Sequence, residues 1–226
     1  MRHLNIEEID ITGFAAVREL VFVMSPSAFG PATPAHTLPG LGSLQYLADA
    51  HMRPGGQTGM HHHKQVTIVT LMLNGTLLHR GDLGNNTTLS RDQAQVQCSG
   101  SDGFQHNEIN GGDGMNRFLQ LWFDARHQTG PAHFTHTALT ANEDTLLFQD
   151  HDGPTRCWLK QMDEGDSETM PGQALAFVVE GTISVRDKTD STATLSAACA
   201  CQGEQLTLTC TQASRILLVS DNPAVE

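Results

Sequence analysis

β-Branched and apolar residues concentrate in two stretches, residues 65–79 and 175–185, each carrying a glycine turn signal, which predicts strands rather than helices. Both contain the same kind of phrase, Leu73-Asn74-Gly75-Thr76 in the first and Val179-Glu180-Gly181-Thr182 in the second. The offset between Gly75 and Gly181 is 106 residues (181 minus 75), nearly half of the 226-residue chain, which predicts a duplicated β domain. Gly-rich turns recur at short intervals, as in Arg80-Gly81-Asp82-Leu83-Gly84-Asn85 and Gly111-Gly112-Asp113-Gly114, the rhythm of small barrels and sandwiches. Residues 125–138 are rich in His, Thr and Gly, include Pro131 and have no apolar period. They mark the junction, so the expected domains are residues 1–130 and 131–226. Near the start, Leu20-Val21-Phe22-Val23-Met24 predicts a strand and the Pro-rich residues 25–39 a surface loop. The second domain's core is expected from residues 175–185, 205–210 and 216–219. The fold class is all-β, with two small barrels in one chain.

Composition narrows the function classes. With 38% hydrophobic and 17% charged residues, the chain has the balance of a folded protein, and 21 glycines suit short strands and tight turns. A formal net charge of −12 leaves no basic stripe, which argues against direct nucleic-acid binding and against an anionic membrane surface. Residues 1–13 carry Arg2, Glu7, Glu8 and Asp10 and lack the apolar core of a signal peptide, and no later run is long enough to span a bilayer. The expected location is the cytoplasm. Five cysteines, Cys98, Cys157, Cys199, Cys201 and Cys210, are an odd number without zinc-finger spacing, and read as reduced, mostly buried thiols.

The candidate chemistry lies in the first half. On a strand, His61 and His63 share one face while His62 takes the other, and His106 and Glu108 repeat that spacing further along the chain. A neighbouring barrel strand would bring the second pair opposite the first. Three imidazoles and a carboxylate suit Fe(II), Mn(II), Co(II), Ni(II), Cu(II) or Zn(II) rather than Ca(II). On a six-coordinate ion they leave two positions open for water, dioxygen or a substrate oxygen. Taken alone, a His-rich triplet can equally be a polar loop or an adventitious nickel binder. The surrounding order favours a site: Gly59, the histidines, a strand, a glycine turn, a second strand, the approach Gly100-Ser101-Asp102-Gly103, then the second pair.

These residues carry a family resemblance. The stretch from Gly59-Met60-His61-His62-His63-Lys64 through Val69-Thr70-Leu71-Met72-Leu73-Asn74-Gly75 resembles the pirin signature, a His-Pro-His segment followed by a strand and a glycine turn. The segment from His79 to Asn85 resembles the family's His-Arg-Asp-Ser-x-Gly-Asn turn, Gly103-Phe104-Gln105-His106-Asn107-Glu108 its Gly-x-x-His-Ser-Glu, and Leu119-Gln120-Leu121-Trp122 its Leu-Gln-Leu-Trp strand. The resemblance implies a bicupin, two jelly-roll-like barrels, with a metal held by His61, His63, His106 and Glu108, the same four that the spacing selects. His62 stands where the family has Pro, Gln65 where it has Gly and Thr67 where it has Glu. The Thr67 departure removes a carboxylate near the site in sequence, and with it an expected supporting contact or proton acceptor.

Carrying the 106-residue offset onto His61 and His63 reaches Ser167 and Thr169, so the second barrel does not repeat the site and is expected to be structural. Cys199 and Cys201 have strand spacing but no matching pair of soft ligands. His79 ends a strand, either lining the barrel mouth or facing solvent. His51, His127, His133 and His136 are expected at the surface, and Trp122 in the core. Two functions compete. The first, implied by the resemblance, is an oxygenase that uses dioxygen on a quercetin-like flavonol or other enolic aromatic, with Fe(II) the first metal expected and Glu108 as the base. The second is a non-enzymatic metal or redox sensor that binds a protein partner. A zinc-dependent cupin enzyme is a third.

Overall fold

The computed structural model describes residues 1–222 apart from Ala32, Asn85 and Asp152, so the loop at 25–39 and the turn at 80–85 each have one residue outside the described set. The chain divides into two units. The first comprises Asp10–Val23 and Gln45–Leu139, the second Met1–Ile9, Met24–Leu44 and Thr140–Glu226. This grouping departs from a single cut at residue 130 in three places, one of them the assignment of Met24–Leu44 to the second unit. Strand Arg2–Asn5 pairs antiparallel with Cys199–Glu204, Arg2 opposite Gln202, which draws the chain start to the second unit. Residues His133–Ala138, expected as a linker, form a strand antiparallel to Gln93–Cys98. Most of its side chains are exposed, so backbone hydrogen bonds hold it and no apolar period marks it.

The first unit has a seven-stranded sheet, in the order His133–Ala138, Gln93–Cys98, Val66–Asn74, Asn116–Asp124, Leu44–Met52, Val17–Met24 and Ile11–Phe14. A four-stranded sheet faces it, in the order His61–His63, Phe104–Ile109, Thr76–Gly81 and Thr87–Ser90. The apolar run expected at residues 20–24 is the end of Val17–Met24. Alternation sets up three tiers between the sheets. Ile68 stands opposite Trp122, Thr70 opposite Gln120 and Met72 opposite Phe118. On the next strand Gln97 pairs with Ile68 and Gln95 with Thr70. At one end Ile68, Phe104 and Val66 cluster with Trp122, as the core assignment for that tryptophan expected. At the other, Met72, Phe118, Leu77, Leu89 and Met52 form a second apolar cluster. The middle tier is polar.

The second unit is one eight-stranded sheet. Its long strands Gln173–Arg186 and Thr207–Asp221 pair along their length, and their register shifts between Val178 and Ile183. Gly181 sits in that irregularity at φ +91°, where a Cβ would lie 2.3 Å from Ser214 Oγ and 2.4 Å from the Ala213 carbonyl oxygen, so only glycine fits. Gly75 holds a similar corner at φ +75° between Val66–Asn74 and Thr76–Gly81. Bending lets the sheet curl around an apolar interior that includes Ala176, Val178, Ile183, Leu208, Ile216 and Leu218. Each large side chain buried there contributes roughly 1.5–3 kcal/mol by leaving water. All five cysteines are buried free thiols. Among the described residues no helix is long and apolar enough to cross a membrane.

Candidate metal centre

His61 and His106 are cross-strand partners in the four-stranded sheet, and His63 pairs with Phe104 on the same two strands. Period-two geometry therefore turns all three imidazoles into the barrel. Their ring nitrogens lie within 4.8 Å of one another. His106 Nε2 is 3.1 Å from His63 Nε2 and 3.1 Å from His61 Nε2.

Hydrogen bonds at the far side of two rings settle what those nitrogens offer. His61 Nδ1 lies 2.8 Å from the Gly59 carbonyl oxygen, which can only accept, so Nδ1 carries the proton and Nε2 a lone pair. His106 Nδ1 donates to Gln97 Oε1 at 3.0 Å, leaving its Nε2 a lone pair as well. Two lone pairs facing each other at 3.1 Å repel, and a shared cation relieves them. The spacing also fits, because two nitrogens bound at right angles to one ion at about 2.1 Å each lie about 3 Å apart. Burial keeps His63 and His106 neutral. It pushes His106 down to about 2 and His63 down to about 4, with the neighbouring imidazoles acting in the same direction. The three histidines can hold a metal ion.

The loop before His61 is clamped in place. Asn107 Oδ1 accepts the Gly59 N–H at 2.9 Å, and Thr58 and Glu108 exchange contacts, with Glu108 N–H donating to Thr58 Oγ1 at 3.0 Å. The carbonyl that orients His61 is thus fixed by the strand that carries His106.

Glu108 points into the same barrel from that strand but stands outside the three-histidine group. Its carboxylate, 2% exposed, accepts from Gln120 Nε2 at 3.0 Å and from Gln95 Nε2 at 3.5 Å. Burial pushes its pKa up to about 7 despite the Gln120 hydrogen bond. His79 is fully buried opposite Glu108, rather than solvent-facing, and its Nε2 donates to the Leu83 carbonyl oxygen at 2.7 Å. His79 Nδ1 and Gln95 Oε1 have no hydrogen-bond partner among the described residues, so this tier has spare polar capacity.

Thr67 is elsewhere. It pairs with Phe123 and Cys98 on the opposite face of the sheet from Thr70, and its Oγ1 meets Gln128 Oε1 at 3.4 Å. A side chain at position 67 thus points away from the three histidines, so the loss expected there does not touch the site, whose supporting amides are Gln95, Gln97 and Gln120. Gln95 and Gln97 alternate with Ala94, Val96 and Cys98, a pattern that by itself does not tell an inward amide from a solvent-facing one. His127, His133 and His136 are exposed, His51 is half-buried, and Cys199 and Cys201 sit in the second unit's core, where burial pushes the Cys201 thiol up to about 12.

Comparison with known proteins agrees with this architecture. Residues 22–123 match the family model described as Pirin. A Zymomonas mobilis protein named as a candidate quercetin 2,3-dioxygenase is 33% identical over 81 residues, 36% of this chain and 34% of that protein. An Escherichia coli protein named quercetin 2,3-dioxygenase is 30% identical over 84 residues, 37% of this chain and 36% of its own. The matched stretches thus span about a third of these relatives' length. The solved structure of the Escherichia coli pirin YhhW in complex with nickel(II) has a TM-score of 0.80 over 99% of both chains at 16% identity, a likeness of fold. Residues 22–123 thus match the Pirin family model, in a chain whose fold is similar to that of a bacterial pirin.

Proposed function

We propose that the first unit is a metal-dependent oxygenase centre acting, with dioxygen, on a small aromatic substrate that bears an enolic hydroxyl, quercetin being the test compound. The supporting observation is the convergence of three imidazole nitrogens inside the barrel, two of them fixed with their lone pairs inward. In this reading His61, His63 and His106, with Glu108 as fourth ligand, hold one divalent ion. Fe(II) ranks first; Mn(II), Ni(II), Co(II), Cu(II) and Zn(II) also suit the donors, and nickel is the ion of the YhhW complex. Such an ion, when bound, supplies Lewis acidity toward an enolic oxygen and, if redox-active, a path for electrons to dioxygen.

The chain's own residues supply binding and proton transfer. Phe14, exposed on Ile11–Phe14, sets its ring edge-on to His61 with centroids 5.7 Å apart, and Met60 is exposed beside it. These make an apolar rim for a flat ring. Glu108, on the strand that carries His106, takes the enolic proton when its carboxylate leaves the ion, and Gln120 Nε2 steadies that carboxylate. The names of the relatives support the substrate class. Oxygen uptake with quercetin by the metal-loaded protein tests the reading: His61→Ala and Glu108→Ala should each abolish it, and uptake that persists in both would refute it.

A regulator that binds a protein partner according to its metal state is the second reading. It draws on Phe14 and Met60, 55% and 59% exposed, the first in ring contact with His61 and the second its neighbour in the chain. It predicts partner capture that changes with metal oxidation state and no flavonol turnover; capture indifferent to the metal counts against it.

A further inference from the structure

The second unit has an open pocket of about 600 Å³, within the range of small-molecule sites. Register shows where it lies. Leu146 pairs with Trp158, Trp158 with Leu218, and Leu218 with Ala176, so this row runs from the wall of the pocket into the barrel's apolar interior. The rows on either side continue the same face: Lys160 with Ile216, and Arg156 with Ser220. The strand Ser167–Thr169 pairs with the other end of Thr207–Asp221, and the curl of the sheet carries it round to form the opposite wall together with Met170 and Pro171. Lys160 Nζ bridges the two walls, 2.7 Å from Asp144 Oδ2 and 3.0 Å from Glu168 Oε2. This pocket is the mouth of the second barrel, on the side where alternation turns side chains inward.

We propose that the second unit binds a small neutral aromatic molecule in this mouth, its ring against Trp158 and Leu218 and a hydroxyl toward the Lys160 ion pairs. Three features select that chemistry. Trp158, Leu218, Leu146, Met170 and Pro171 give an apolar lining in which an indole offers a face for ring contact. The ionic groups of the lining are Arg156 and Lys160 against Asp144 and Glu168, which sum to zero and give no preference for an ion. The indole N–H of Trp158 makes no hydrogen bond among the described residues, which leaves a donor for a ligand oxygen. The barrel that lacks imidazole ligands thus keeps a binding mouth, and the inference does not depend on any metal in the first unit.

The test is calorimetric titration of 2-naphthol into the wild-type chain, Trp158→Ala, Leu146→Glu and His61→Ala/His106→Ala. We expect one site per chain in the wild type, weakened about tenfold or more by each pocket substitution and unchanged by the histidine pair. Leu146 is 41% exposed, so Leu146→Glu leaves the core packing alone and decides the question should Trp158→Ala unfold. Absence of binding to the wild type, binding indifferent to Leu146→Glu, or binding lost only in the histidine variant would overturn the proposal.

Discussion

Both units turn alternate side chains into a barrel, yet they fill the same inward positions with opposite chemistry. In the second, rows such as Cys201, Ala176 and Leu218 are apolar across the sheet and pack against one another in the interior. In the first, the row Gln95, Thr70 and Gln120 faces Glu108 and His79, with apolar clusters confined to the two ends. Burying that many polar groups costs stability unless each finds a partner. Here the amides serve as those partners, orienting His106 and holding Glu108. The difference teaches that a barrel interior becomes a site when one tier of its alternation is surrendered to hydrogen-bonding side chains and the tiers at either end stay apolar.

The comparison breaks most completely at a ligand. His106→Ala should lower affinity for Ni(II), measured by chelator competition, by more than the 10–100-fold expected (about 1.4–2.8 kcal/mol) for loss of a supporting residue, because it removes a donor itself. Affinity within tenfold of wild type would mean that the imidazoles do not act together. In the second unit the equivalent insult is a cavity: Ile216→Ala should cost about 2–5 kcal/mol in denaturant unfolding and leave metal affinity alone. If metal affinity fell with it, the division of labour between the units would be wrong.

Gln97→Leu sharpens the contrast, since it replaces the acceptor of the His106 Nδ1 proton with an apolar group of similar size. Metal affinity should fall about 10–100-fold, and an unchanged value would show that the Gln97 contact is dispensable. The smallest effect belongs to Gln65, which stands at φ +60° between the histidine strand and Val66–Asn74. Left-handed backbone disfavours a side chain there, so Gln65→Gly should raise stability by about 0.5–1 kcal/mol, read from the unfolding midpoint. A loss would mean that the glutamine side chain contributes more than the strain removes.

Much of this was legible in the chain. The spacing of His61, His63 and His106 was enough, because a strand's period of two is a local rule and the three side chains needed only one pairing to meet. The fold class followed from Gly75 and Gly181 at strand corners. What stayed hidden depended on long-range pairing. Nothing near Arg2–Asn5 announces that it joins a strand about 200 residues away. His133–Ala138 has no apolar face to betray a strand. Gln95 and Gln97 lie on a strand buried on both faces, and the sequence shows the alternation without saying which side is inside the barrel. Type and spacing single out Glu108, but its amide partners Gln95 and Gln120 are set by how the strands pair and the two sheets face each other.

The most direct test is elemental analysis of tag-free protein purified without added metal, beside the His61→Ala/His106→Ala variant. The account predicts about one transition-metal ion per wild-type chain and none in the variant. Metal retained by the variant, or a wild type that stays empty after reconstitution with Fe(II), Ni(II) and Zn(II), would contradict it.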